Sequence, residues 1–191
     1  LNKVIDRVYK YYTDRLTHHT WTTKDAKDCT AWTWKALEYR DGMFDPRNRN
    51  VVAAEPQFDF TIEEDWSQYS YDLNNKNLTG NLAMKGTIDL VTDLGDGVYE
   101  VIDWKTGRRL DWATGEKKTQ HNLSSDAQLR IYHYAMKQMF PHVSSFIITI
   151  IFINDGGAFT LHFQDEDLKD TEEMLQKKFE FIKNTDDPKI I

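Results

Sequence analysis

The chain has 191 residues, 40% of them hydrophobic and 29% charged, which suits one folded domain and excludes disorder throughout. A formal net charge of -7 argues against a generic basic nucleic-acid coat, but not against a site that uses carboxylates to hold metal ions. The single cysteine, Cys29, excludes an internal disulfide and a four-cysteine zinc or iron–sulfur site, and fits a reducing, cytosolic setting.

Leu1, Val4, Ile5, Val8 and Tyr12 recur at helical spacing, so the first segment is predicted as an amphipathic helix. The chain starts inside that helix without Met and shows no signal peptide, and an upstream segment is expected. A second helix is predicted from about Lys24 to Arg40, capped by Thr23 and stopped near Gly42. A loop spans Asp45 to Asn50. Val51 to Ile62 reads as extended and broken at Pro56, with Phe58, Phe60 and Ile62 alternating as in a half-buried strand. Glu63 to Gly80 is polar and aperiodic, and reads as a long loop or small helical insertion.

Two strands follow, Leu82 to Thr92 and Val98 to Trp104, joined at Gly95-Asp96-Gly97. Thr106 to Asn122 is a charged loop. A helix is predicted from about Asp126 to Phe140, with Ser125 as cap and Pro141 as stop. Phe146 to Ile153, broken only by Thr149, reads as a central strand covered on both faces and is far short of the ~18 apolar residues of a membrane span. A turn at 154–157 leads to a strand from Ala158 to Phe163. The last helix runs from about Glu166 to Lys183 with Leu168, Leu175, Phe179 and Ile182 on its apolar face. This order predicts a mixed β-sheet flanked by helices, in the α+β or α/β class. One domain fills residues 1–191: a helical part to 45, a sheet core over 51–163 and a C-terminal helix over 164–191.

The chemistry concentrates in one hairpin. Asp103 and Lys105 share a strand face, while Ile102 and Trp104 take the other. An antiparallel register centred on Asp96 sets Asp89 opposite Asp103, with Cβ atoms roughly 5 Å apart. Like charges placed so destabilise a sheet unless a cation lies between them or a pKa rises. Two solvated carboxylates on an exposed face are the plain alternative, but the apolar flanks Thr-Ile-Asp-Leu-Val and Val-Ile-Asp-Trp are typical of a buried sheet, where unpaired carboxylates are costly, and weigh toward function.

Gly86-x-Ile88-Asp89, a short hairpin, Val101-Ile102-Asp103-x-Lys105-Thr106-Gly107, and then Gln128-x-x-x-Tyr132 together resemble the PD-(D/E)XK nuclease superfamily, nearest its RecB-like and phage-exonuclease branch. The likeness is strong from about Val51 to Tyr134. It implies a restriction-endonuclease-like fold and a deoxyribonuclease, acting as an exonuclease in DNA recombination, repair or phage DNA processing. It also implies Mg²⁺ or Mn²⁺ held by Glu55, Asp89, Asp103 and the Trp104 carbonyl. Asp89, Asp103, Lys105, Gln128 and Tyr132 would form the catalytic set, with Lys105 a charged water-orienting group or a general base. Glu63 and Glu64 are alternatives to Glu55. Gln128 could instead close a capping box with Ser125.

Many members of that branch carry a His on the first helix that helps hold metal. Asn2 occupies that place here, and His18 and His19 lie beyond it. Arg108, Arg109, Trp112, Lys117 and Lys118 form the best local patch for DNA, single- or double-stranded. The expected location is the cytoplasm of a bacterium or phage-infected cell, away from membranes, with a recombination or replication protein as partner. The competing readings are a non-catalytic DNA-binding module on the same fold and a restriction-type endonuclease.

Overall fold

The computed structural model describes residues 1–111 and 114–185. Helices α1 (Asn2–Thr13) and α2 (Thr23–Leu37) open the chain. Strands β1 (Asn50–Ala54) and β2 (Gln57–Thr61) follow, then a hairpin of β3 (Gln68–Leu73) and β4 (Lys76–Asn81). Next come β5 (Ala83–Thr87), β6 (Leu90–Gly95) and β7 (Val98–Lys105). The short helix α3 (Gln120–Ser124), α4 (Ala127–Met139), β8 (Ser145–Phe152), β9 (Gly157–Gln164) and α5 (Asp167–Lys183) complete it.

The main sheet has the order β1-β6-β7-β8-β9. Only β7 and β8 run parallel. A parallel pair needs a crossover, and α3 and α4 supply it. Alternation along the strands builds two cores. Val101, Val91, Ile148, Ile150 and Phe146 pack with Leu129, Ala135 and Met136 of α4 on one face. Leu90, Ile102 and Ile151 pack with Phe44 on the other. The expected mixed sheet flanked by helices is therefore present, with β7 and the apolar β8 in its interior. Among the described residues no helix is long and apolar enough to cross a membrane.

The structure corrects several expected elements. The stretch 63–80 is neither loop nor helical insertion. After a short 3₁₀ turn (Asp65–Ser67) it forms the β3–β4 ladder, closed by Asn74 and Asn75 at φ 51° and 62°. Asn tolerates that left-handed region better than most residues, which fits a tight hairpin turn. The single expected strand from Leu82 to Thr92 is two strands, interrupted at Ile88 and Asp89. Helix α2 is capped by Thr22 in a capping box with Asp25, one residue before the expected Thr23, and ends at Leu37. The cap of α4 is Asp126, whose carboxylate accepts the Gln128 N–H at 2.9 Å, in place of Ser125. On α5, Leu175 and Phe179 are buried but Ile182 is exposed; on α1 only Ile5 is buried.

His133 on α4 is 0% exposed, stacked on Phe163 and beside Phe146. Neither ring nitrogen has a hydrogen-bond partner among the described residues. Burial pushes its pKa from the ordinary 6.5 down to about 4. Between those values the unfolded chain binds the extra proton, so stability is full above pH 6.5 and falls as pH drops toward 4, by roughly 3 kcal/mol in all. His133→Leu should flatten this limb in urea melts run from pH 7 to 4. A variant that keeps the wild-type acid slope removes His133 as its cause.

Candidate active site

A shared kink builds the site. Ala54 of β1 faces Leu90 of β6, and Gln57 of β2 faces Thr87 of β5. Both pairs belong to one register, so Glu55 and Asp89 fall opposite each other in the gap between the two ladders. Backbone bonds cross that gap: Glu55 N–H donates to the Asp89 carbonyl at 2.9 Å, and Ile88 N–H to the Pro56 carbonyl at 3.1 Å. Glu55 sits at φ 49°, an uncommon conformation for a non-glycine residue and one that clusters at functional sites.

The hairpin register then adds Asp103. Leu90 faces Ile102, and one step further sets Asp89 against Asp103. The device differs from a turn centred on Asp96. Asp96 and Gly97, at φ 50° and 75°, form a two-residue turn between the paired Gly95 and Val98. That turn alone would carry Asp89 opposite Trp104. A bulge between Asp93 and Gly95 shifts the ladder by one residue and restores the pairing with Asp103. Glu55, Asp89 and Asp103 thus form one row across three neighbouring chain segments.

Asp103 is 1% exposed. Its Oδ1 accepts from the Tyr132 hydroxyl at 2.9 Å, and the Lys105 ammonium lies 3.0 Å from Oδ1 and 2.8 Å from Oδ2. Gln128 Nε2 donates to the Tyr132 hydroxyl at 2.8 Å. The two side chains lie one turn apart on α4, which fixes their common direction. Asp126 closes the helix start, so the Gln128 side chain is spent on Tyr132. Burial and the Asp103 charge both raise the Tyr132 pKa, which keeps its hydroxyl protonated and donating. Asp89 is half-buried, and its Oδ2 accepts the Trp104 N–H at 2.9 Å. Burial raises its carboxyl pKa; the Trp104 bond opposes this and the Asp103 charge adds to it.

The row has the chemistry of a hard-cation site, with carboxylate oxygens in a partly desolvated pocket. Mg²⁺ takes one or two protein carboxylates and completes its shell with water and phosphate oxygens, so Asp89 and Asp103 fit it. Alternation puts the Trp104 carbonyl on the same strand edge as its N–H, beside Asp89, while the Lys105 carbonyl faces β8 and accepts from Ile153. Among the described residues no three His, Cys, Asp or Glu side chains converge tightly enough to grip an ion. The local reasons are visible: Lys105 lies on Asp103, the Trp104 amide holds Asp89, and Glu55 is exposed.

Other expected residues fall elsewhere. Glu63 and Glu64 lie past the end of β2 remote from the kink. Asn2 accepts from the Trp34 indole at 2.8 Å, and His19 packs edge-on against Trp21. In the charged loop, Lys117 pairs with Asp155 at 3.0 Å and Lys118 with Asp126 at 2.5 Å. The Arg109 guanidinium lies over the Phe159 ring at 4.8 Å from its centroid. Arg108 is exposed, beside a polar groove it shares with Lys117 and Asn154. Trp112 lies outside the described residues. Asp155 organises the loop and had no sequence signal beyond its turn. It accepts the Arg109 N–H at 3.0 Å, and this bond and Lys117 hold its carboxyl below the usual range.

Among solved structures, this chain is similar to a candidate exonuclease from Eubacterium rectale, at 13% identity and TM-score 0.49, covering 96% of this chain and 64% of that one. It is also similar to the protein SSO0001, at 13% identity and TM-score 0.38, covering 95% of this chain and 71% of that one. No curated protein matches the sequence. The family model of the PD-(D/E)XK nuclease superfamily matches residues 1–189, so the chain belongs to the PD-(D/E)XK nuclease superfamily.

Proposed function

We propose that the chain is a metal-dependent deoxyribonuclease that hydrolyses phosphodiester bonds, with Asp89, Asp103, Lys105, Gln128 and Tyr132 as its working residues. The observation that carries this reading is the aligned pair Asp89 and Asp103, with Lys105 and Tyr132 both bonded to Asp103. A binding module that had lost catalysis would have no use for a buried carboxylate held beside a lysine. The RecB-like motif favours an exonuclease in recombination, repair or phage DNA processing over a restriction-type endonuclease. Timed digestion of end-labelled linear and circular DNA tests that choice. Cutting of the circle identifies an endonuclease.

Bound at this row, Mg²⁺ or Mn²⁺ would lower the pKa of a water and polarise the phosphoryl oxygens. Asp89 and Asp103 would hold the ion, with the Trp104 carbonyl and Glu55 completing the protein donors. Lys105 lies within 3.0 Å of the buried Asp103 carboxylate, at the edge of the row where a phosphate would sit. On this reading it orients the attacking water and offsets charge developing on the phosphate, in preference to acting as a base. Tyr132 fixes the Asp103 carboxylate, and Gln128 fixes Tyr132. The loop bearing Arg108, Arg109, Trp112, Lys117 and Lys118 would follow the strand, with Arg108 the most available contact.

Mn²⁺ should raise the thermal midpoint of the wild type by mass action, worth about 2.7 kcal/mol at a hundredfold excess over Kd. Asp103→Asn should erase this gain and most DNA cleavage. Lys105→Ala should lower cleavage by roughly 10²–10³-fold yet bind Mn²⁺ as tightly or more so, because a competing cation is gone. A Lys105→Ala enzyme that cleaves at the wild-type rate sinks the catalytic assignment.

Tyr132→Phe removes one of the bonds to the buried Asp103 carboxylate and should cost about 1–3 kcal/mol of stability in metal-free buffer. Equal urea midpoints for Tyr132→Phe and wild type would show that the hydroxyl does not hold Asp103.

A further inference from the structure

Because β7 and β8 are parallel, the N-terminus of the intervening α4 lies at the C-terminal end of β7, the end that bears Asp103 and Lys105. Gln128 and Tyr132 use the side of α4 that faces this site. On its other side, Ser125 and Arg130 border a cleft of about 400 Å³ shared with α5. From α5, Asp170, Glu173, Lys177 and Lys178 all line it. Three cations meet two carboxylates there, a local excess of positive charge in a chain of net charge -7. The one ion pair among these residues, Lys177 with Glu173, spans 3.9 Å between exposed side chains, which is too loose and too wet to hold the lysine. The Arg130 Nη1 is buried with no hydrogen-bond partner among the described residues. That nitrogen is closed to solvent, so an anion in the cleft would meet Arg130 as a charge and through the rest of its guanidinium.

We propose that this cleft is a second subsite, binding a backbone phosphate of the nucleic-acid strand outside the bond that is cut. The inference rests on the nuclease reading of the Asp89–Asp103 site. The planar Arg130 guanidinium suits a phosphate, and Lys177 and Lys178 add point charge. The cleft and the site lie on opposite sides of α4 near its start, so at least one helix diameter, roughly 10 Å, separates them. A strand leaving the site past the start of α4 therefore meets the cleft within a few nucleotides. Phosphate contacts position a strand without reading its sequence, so the subsite serves substrates of any sequence.

The test measures binding of fluorescein-labelled oligonucleotides by anisotropy, without metal, across a salt series. In parallel it measures hydrolysis of bis(p-nitrophenyl) phosphate, a diester with no flanking backbone, with Mn²⁺. Arg130→Gln/Lys177→Gln/Lys178→Gln should weaken oligonucleotide binding alike for all sequences. It should lower the salt slope by about one for each phosphate the variant no longer neutralises, and leave hydrolysis of the small diester unchanged. Asp170→Asn/Glu173→Gln should shift affinity the opposite way. Should the triple variant fail to fold, Lys177→Gln/Lys178→Gln, both exposed on α5, decides the matter by the same slope. An unchanged slope and affinity in an enzyme that still cleaves DNA overturns the subsite alone. A wild type that hydrolyses neither DNA nor the small diester overturns the nuclease reading itself.

Discussion

One buried negative charge sets the terms for the rest of this fold. Asp103 is 1% exposed in the middle of a sheet, and an ionised carboxylate so placed is costly unless it is paired and hydrogen-bonded. Lys105 is placed two residues along the same strand, so strand periodicity delivers it to the same face. Tyr132 must come from outside the sheet, which fixes both the height and the rotation of α4 over β7. Leu129, Ala135 and Met136 of α4 seal that arrangement against Val101, Ile148 and Ile150. The same packing that makes the core therefore aims the hydroxyl at Asp103.

Two irregularities bring Asp89 into line, and neither would be needed for stability alone. The bulge between Asp93 and Gly95 corrects the phase of the hairpin by one residue. The kink at Glu55-Pro56 and Ile88-Asp89 ends two ladders together and frees the Asp89 side chain to take the Trp104 N–H. A regular β-strand through residue 89 would instead offer its backbone to that N–H. Positive φ at Glu55 concentrates the strain beside the carboxylates.

Much of this was legible in the residues. The phase of Asp89 against Asp103 follows from counting around the Gly95-Asp96-Gly97 turn, although the actual turn reaches the same offset through a bulge that no residue announces. The apolar run of β8 and the Gln128–Tyr132 spacing were equally direct. The β3–β4 hairpin was not legible, because its strands are largely exposed on both faces and carry no burial period, leaving only Asn74-Asn75 as a signal. For α1, periodicity showed an apolar stripe but could not show its partner, and Val4 and Val8 remain 47% and 48% exposed. The basic loop misled in another way. The Asp155 that pairs with Lys117 and takes the Arg109 N–H lies 38 and 46 residues away, so the sequence overstated the free positive charge.

The charge of the whole chain bears on how such a site could meet a polyanion. Glu55, Asp89 and Asp103 bring three negative charges and Lys105 one positive, so the ionised row carries a net charge of -2. A phosphate would be repelled from it, and the paired lysines of the nearby loop offset little at that range because solvent screens them. On the proposed reading, a divalent cation would cancel this excess and leave Lys105 to face the phosphate. Metal binding and substrate binding would thus be coupled through one electrostatic balance. An acidic protein then needs no basic surface to act on DNA: it needs local cations that guide the strand, and an ion that turns a repulsive row of carboxylates into an attractive one.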